Sequence, residues 1–147
     1  MIRGIGMDRL AAWMRAVCLC GVFLYSADAL GGDTPPAPEM PAHWKVISDF
    51  QVPSAQVDAM SRKLGAELTG VRNSVYDVNG KRVQINVIAA SDAGMVEKLM
   101  THLRSIKAED ALLKKGEIVY EFVGQNDAFP SILEGRRHLD ASPAAGK

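Results

Sequence analysis

Cysteine is nearly missing from this chain: there are two among 147 residues, Cys18 and Cys20, and both lie close to the N-terminus. Aromatic residues are scarce as well, at 6%. Neither sign of charge prevails, with 17 basic against 17 acidic side chains. That balance removes the sequence-independent attraction to nucleic acid or to an anionic membrane that an excess of Lys and Arg would supply. No uninterrupted apolar stretch approaches the ~20 residues of a membrane-spanning helix. Stacking residues of the kind RNA-binding sheets use are too few to line a face.

The N-terminal segment reads in three parts. A basic leader carries Arg3, Arg9 and Arg15 against Asp8, an apolar run follows from Ala16 to Tyr25, and Ala27-Asp28-Ala29 offers small residues at the positions a signal peptidase reads. Together these predict a secretory signal peptide over 1–29 and an exported mature chain beginning at Leu30. At ~1.5 Å per residue the apolar run spans about half of a ~30 Å hydrocarbon core, so no stable membrane insertion is expected after cleavage. Both cysteines leave with the leader. The mature chain then has no disulfide, no thiol nucleophile and no thiolate ligand, and must hold together by its core.

Residues 30–41 (LGGDTPPAPEMP) are rich in Pro and Gly without periodicity and read as an extended spacer. From Ala42 the pattern becomes regular. Trp44, Val46, Ser48 and Phe50 alternate with Lys45, Ile47 and Asp49, a strand; Ser54 is placed as an N-cap, and Val57, Met60 and Leu64 recur at helical spacing before Gly65. Asn79-Gly80 between two strand-like runs predicts a type I′ hairpin, which pairs Tyr76 with Val83, Ser74 with Ile85, Val75 with Gln84 and Asn73 with Asn86. Ser91 or Asp92 caps a second helix to about Lys107, with Val96, Leu99, Leu103 and Ile106 inward. Lys114-Lys115-Gly116 reads as a turn, and Glu117–Val123 alternates as a last strand. The predicted domain, 42–125, is therefore α+β, a ferredoxin-like βαββαβ unit with a four-stranded antiparallel sheet and two helices on one face. Its expected core includes Trp44, Val46, Phe50, Tyr76, Val83, Ile85, Val87, Ile106, Ile118, Tyr120 and Phe122. A tail, 126–147, holds a short helix near 131–139 and an Ala/Pro/Gly-rich end expected to be partly disordered.

The chemistry-bearing patterns are few. His43, His102 and His138 show no H-x-x-x-H spacing, so no metal site is expected. There is no G-x-S-x-G, no S-x-x-K and no phosphate-binding glycine motif, so neither a catalytic residue nor a cofactor is assigned. Asp77 faces Arg82 across the hairpin, while Glu117 and Glu121 alternate with core residues as solvent-facing positions do. What stands out is the sheet face turned away from the predicted helices. It would present Ile47, Asn73, Val75, Gln84, Asn86, Ile88, Val119 and Glu121, side-chain amides beside branched aliphatics. Such a surface can hydrogen-bond and exclude water together. The leading expectation is an exported, non-catalytic domain that binds a protein partner or its own twin through this open face. An enzyme assembled at a dimer interface would use the same residues.

The stretch SAQVDAMSRKLGAELTGV, followed by a strand, a helix and GEIVYEFVGQND, resembles the layout of subtilisin-propeptide-type inhibitor domains. Leu64-Gly65-Ala66 matches the end of their first helix, although the second helix and the loop after it are longer here. The resemblance implies the ferredoxin-like strand order and a protease inhibitor whose segment Gln125–Phe129, after the last strand, enters a protease cleft.

Overall fold

The computed structural model describes residues 34–143. The predicted signal peptide and the end of the tail lie outside them. The elements are β1 (Lys45–Gln51), α1 (Ser54–Leu64), β2 (Leu68–Val78), β3 (Lys81–Ala90), α2 (Ala93–Arg104), β4 (Leu112–Lys115), β5 (Ile118–Gly124) and α3 (Phe129–Ala141). No helix among the described residues is long and apolar enough to cross a membrane.

The α+β class and the antiparallel sheet are as expected, but the sheet has five strands in the order β1-β2-β3-β5-β4. This corrects the ferredoxin-like arrangement: β1 is an edge strand beside β2. The extra strand is β4, only four residues long, too short for alternation to reveal it; Lys115 pairs with Ile118 across Gly116, whose φ is 58°. The hairpin of β2 and β3 has the predicted register throughout its pairs from Val71–Ile88 to Val78–Lys81. Asn79 (φ 55°) and Gly80 (φ 81°) supply the two positive dihedrals of the turn, and the Gly80 amide donates to Asp77 Oδ1 at 2.9 Å. The Asp77 carboxylate therefore turns to the loop backbone, which it is placed to satisfy at i, i+3.

Helix α1 has the predicted bounds, with Val57, Met60 and Leu64 buried and Gly65 in the left-handed conformation. Ser54 is not its cap; Pro53 holds that position and its carbonyl accepts from the Gln56 and Val57 amides. Helix α2 is capped by Asp92, which accepts from the Met95 amide at 2.9 Å.

The sheet is covered on both faces, and this decides where the site lies. One face carries Val71, Ile88, Val119 and Leu112 under α1 and α2. The other carries Tyr76, Val83, Ile85, Val87, Tyr120 and Phe122 under α3 and the segment Met40–Trp44. The helices α1 and α2 thus pack on the face expected to be open, and the tail helix covers the face they were expected to cover. Both faces are apolar enough to need cover, and a domain closes a sheet with whichever apolar stripe reaches it. Helix α3 begins with Pro130 in its first turn, where a missing amide hydrogen costs nothing, and buries Ile132, Gly135 and Leu139.

The spacer is likewise part of the fold. Pro35 and Pro38 are buried, Tyr76 Oη donates to the Pro38 carbonyl at 3.3 Å, and Thr34 Oγ1 donates to Gln51 Oε1 at 2.8 Å. Arg72 makes a two-point contact with Asp49 (2.8 and 2.5 Å), and Ser74 donates to the same carboxylate at 2.8 Å. This holds the Asp49 carboxyl below its ordinary range, first through the Arg72 hydrogen bond, while burial pulls it the other way.

Two expected core residues are on the surface. Val46 is 62% exposed and Ile106 39% exposed. Val46 still pairs with Tyr76 on the α3 face, but at the edge strand; the β-bulge after it puts one extra residue, Ile47, on that strand and turns Ser48 and Phe50 to the α1/α2 face, which breaks the alternation read through Trp44, Val46, Ser48 and Phe50. Ile106 lies beyond the end of α2 at Arg104.

Candidate functional site

Register divides the α1/α2 face into transverse rows. Nearest the helices is Val71–Ile88–Val119–Lys114, whose valines and isoleucine are buried. The next row is Phe50–Asn73–Asn86–Glu121–Leu112, crossing all five strands. The third, towards the hairpin turn, is Ser48–Val75–Gln84–Val123. The helical cover ends between the second and third rows: Val75, Gln84 and Val123 are half-buried, whereas Asn73, Asn86 and Glu121 are buried at 6%, 1% and 1% exposure.

The second row is the polar anomaly of the interior. Asn73 Nδ2 donates to Asn86 Oδ1 at 2.6 Å, and Gln84 Nε2 donates to the same oxygen at 2.9 Å. Asn86 Nδ2 in turn donates to Glu121 Oε2 at 2.8 Å. The other carboxylate oxygen, Oε1, lies 3.3 Å from Lys107 Nζ, whose side chain is one-fifth exposed. Every amide therefore donates towards the carboxylate, and the carboxylate fixes the orientation of the chain. A buried carboxylate without such partners would carry a large desolvation penalty. Asn73 Oδ1 is left over. It is buried and has no hydrogen-bond partner among the described residues, as is true of Gln56 Oε1 on α1.

No family model matches the chain, and neither a curated protein nor a solved structure is significantly similar to it.

Of the eight residues expected on an open face, the structure brings Asn73, Asn86, Ile88, Val119 and Glu121 together but beneath α1 and α2. The correction to the open face is physical: amides and carboxylates at alternate strand positions look solvent-facing, but here they satisfy one another and can be covered. Val75 and Gln84 remain at the uncovered margin. Ile47, 48% exposed, sits beside it on the bulged edge strand. Lys107 was not singled out from the sequence, and nothing in its local pattern marks it; only the loop after α2 brings it to Glu121. No group of three or more His, Cys, Asp or Glu side chains able to hold a metal occurs among the described residues. His43 instead pairs with Glu134 on α3 at 3.2 Å, and Trp44 Nε1 donates to the same carboxylate at 3.3 Å. Gln125–Phe129, the segment the inhibitor resemblance would place in a protease cleft, is mostly a 3-10 turn over Asn126–Ala128 that leads into α3 and buries Ala128.

Proposed function

We propose that this is an exported, non-catalytic domain that associates with protein, a partner or a second copy of itself, through the hairpin end of the α1/α2 face and the adjoining edge strand β1. The observation that carries the reading is the continuity of exposed aliphatic surface there. Ile47 on the bulge is exposed at 48%, and the half-buried row Val75–Gln84–Val123 begins one strand away, while Val46, 62% exposed, pairs with Tyr76 and extends the apolar edge on its α3 side. Branched aliphatics flanking one side-chain amide combine area for desolvation with a hydrogen-bonding group, the usual composition of a contact core. The bulge bends the edge strand and limits open-ended strand pairing, so side chains rather than the strand's backbone would carry the contact.

The test is a comparison of Val75→Lys and Ile47→Lys with the parent chain by sedimentation velocity across a wide concentration range, with thermal melts as the control for folding. A lysine desolvated in an apolar contact is costly and a solvated one is not. The expected outcome is loss of association in both variants with the melt unchanged. A chain that stays monomeric at every concentration, and whose binding to native-host proteins neither variant alters, overturns the reading.

A further inference from the structure

We propose that the α3-side track along β2 that holds residues 34–38 is a seat for polyproline-II segments, closed by the chain's own spacer and open to a P-x-x-P segment of a partner protein when the spacer lifts. The occupant defines the site. Thr34-Pro35-Pro36-Ala37-Pro38 joins neither a helix nor a strand. Its prolines have φ fixed at about −65°, and Thr34, Pro35 and Ala37 each precede a proline, which disfavours the α region for them. What remains is polyproline II, with ~3 residues per turn. Burial follows that period: Pro35 and Pro38 are buried, while Thr34, Pro36 and Ala37 are exposed.

The seat answers the chemistry of such a segment. A buried proline has no amide hydrogen, so only its carbonyl needs a partner. Both carbonyls find one on β2: Arg72 Nη1 donates to Pro35 at 3.5 Å, and Tyr76 Oη donates to Pro38 at 3.3 Å. Asp49 holds the guanidinium through Nε and Nη2, and Trp44 meets the Tyr76 ring edge-on, so both donors are set in place. Aromatic and donor side chains at proline spacing are a general means of recognising a preformed, low-entropy polyproline segment. Pro36 and Ala37 face outward, so the middle positions are open to other residues and the ligand class is P-x-x-P. The spacer's own hold is light. Both proline contacts are longer than the ~2.7–3.0 Å of ordinary hydrogen bonds. Among the described residues no backbone–backbone hydrogen bond ties 34–40 to the domain; the first is from the Trp44 amide to the Pro41 carbonyl at 2.9 Å. A segment held in this way belongs to the parts of a fold that open locally. A second copy is the poorer occupant, because its own spacer is already seated and exchange adds no contact. The inference is independent of the association proposed above, whose row Val75–Gln84–Val123 lies on the opposite face of the sheet.

The experiment is an NMR titration of the mature chain with the peptide GDTPPAPEM, the sequence of residues 32–40, and with the same peptide carrying Pro35→Ser and Pro38→Ser. The receiving chains are the parent and a spacer variant with those two substitutions. A short tether holds the spacer at an effective concentration of about millimolar, so the peptide is expected to bind the spacer variant about tenfold more tightly than the parent. Shifts should centre on the Arg72 to Tyr76 amides, and the serine peptide should bind about tenfold more weakly. Tyr76→Phe, added to the spacer variant, keeps the ring and removes one donor; it should weaken the peptide about fivefold. Pro38→Ala alone, which leaves Pro35 and Pro36 in place, serves if the double substitution does not fold. The proposal is overturned if the peptide binds no folded spacer variant, if the serine peptide binds equally well, or if Tyr76→Phe leaves the affinity unchanged. A dimer that persists in Val75→Lys but is lost in the spacer variant would overturn the choice of a partner protein and give the seat to a second copy. Val75→Lys in the spacer variant should leave peptide binding intact; its loss in that folded chain would place the peptide on the association surface and overturn the seat.

Discussion

The indole of Trp44 occupies the space that any side chain at position 135 would need: a Cβ built on Gly135 would lie 2.5 Å from Trp44 Cη2 and 2.8 Å from Met40 Cε. Trp44 also meets Tyr76 edge-on at 5.6 Å between ring centroids. Gly135 therefore lets α3 approach the N-terminal segment closely enough for one aromatic pair to join tail, spacer and sheet.

Gly135→Ala should accordingly destabilise the protein even though alanine is the better helix former. Overpacking of this kind costs ~1–3 kcal/mol, against a helix-propensity gain of up to about 1 kcal/mol. A lowered denaturation midpoint with an unchanged slope is the expected result. A rise in the midpoint would mean that Trp44 is free to move aside.

The two sides of β3 should respond differently to truncation. Ile85 is wholly buried among the α3-side core residues, so Ile85→Ala should cost ~2–5 kcal/mol. Gln84→Ala removes one hydrogen bond to Asn86 Oδ1, which keeps the one from Asn73, so its cost should be about 1 kcal/mol or less. Equal losses, measured by urea unfolding, would contradict the register of the hairpin.

Stability should carry an acid-side signature of Asp49. Its carboxyl is held low by Arg72 and then by Ser74 in the folded chain. A depressed carboxylate contributes stability above its unfolded value of about 3.9, and that contribution fades as the pH falls through the lower folded value. Asp49→Asn should be less stable than the parent near neutrality, and the gap should close on descending from about pH 6 to about pH 2. A gap that is constant over that window would assign the effect to packing rather than to ionisation.

Export makes a prediction of its own. Mass spectrometry of the protein recovered from its native host should find a chain that begins at Leu30, since Ala27 and Ala29 occupy the positions a signal peptidase reads. An intact Met1 on cytoplasmic protein would contradict it.

What the sequence determined by itself was local. Asn79-Gly80 sets the turn because both residues reach positive φ, and a two-residue turn fixes every pair of β2 and β3. The spacing of Val57, Met60 and Leu64 and the glycine after them set α1. Tertiary structure decided which element covers which face. Alternation shows that a strand has two faces, and it says nothing about which helix will reach each one. The bulge at Ile47 reversed the facing of β1 part-way, and β4 was too short to show a period. The same limit applied to Asn73, Asn86 and Glu121. Their polarity suggested solvent, but three polar side chains that satisfy one another in register, with Lys107 arriving from a distant loop, can be buried together. Burial of a polar group is a property of the partners it meets, and those partners are brought by the fold.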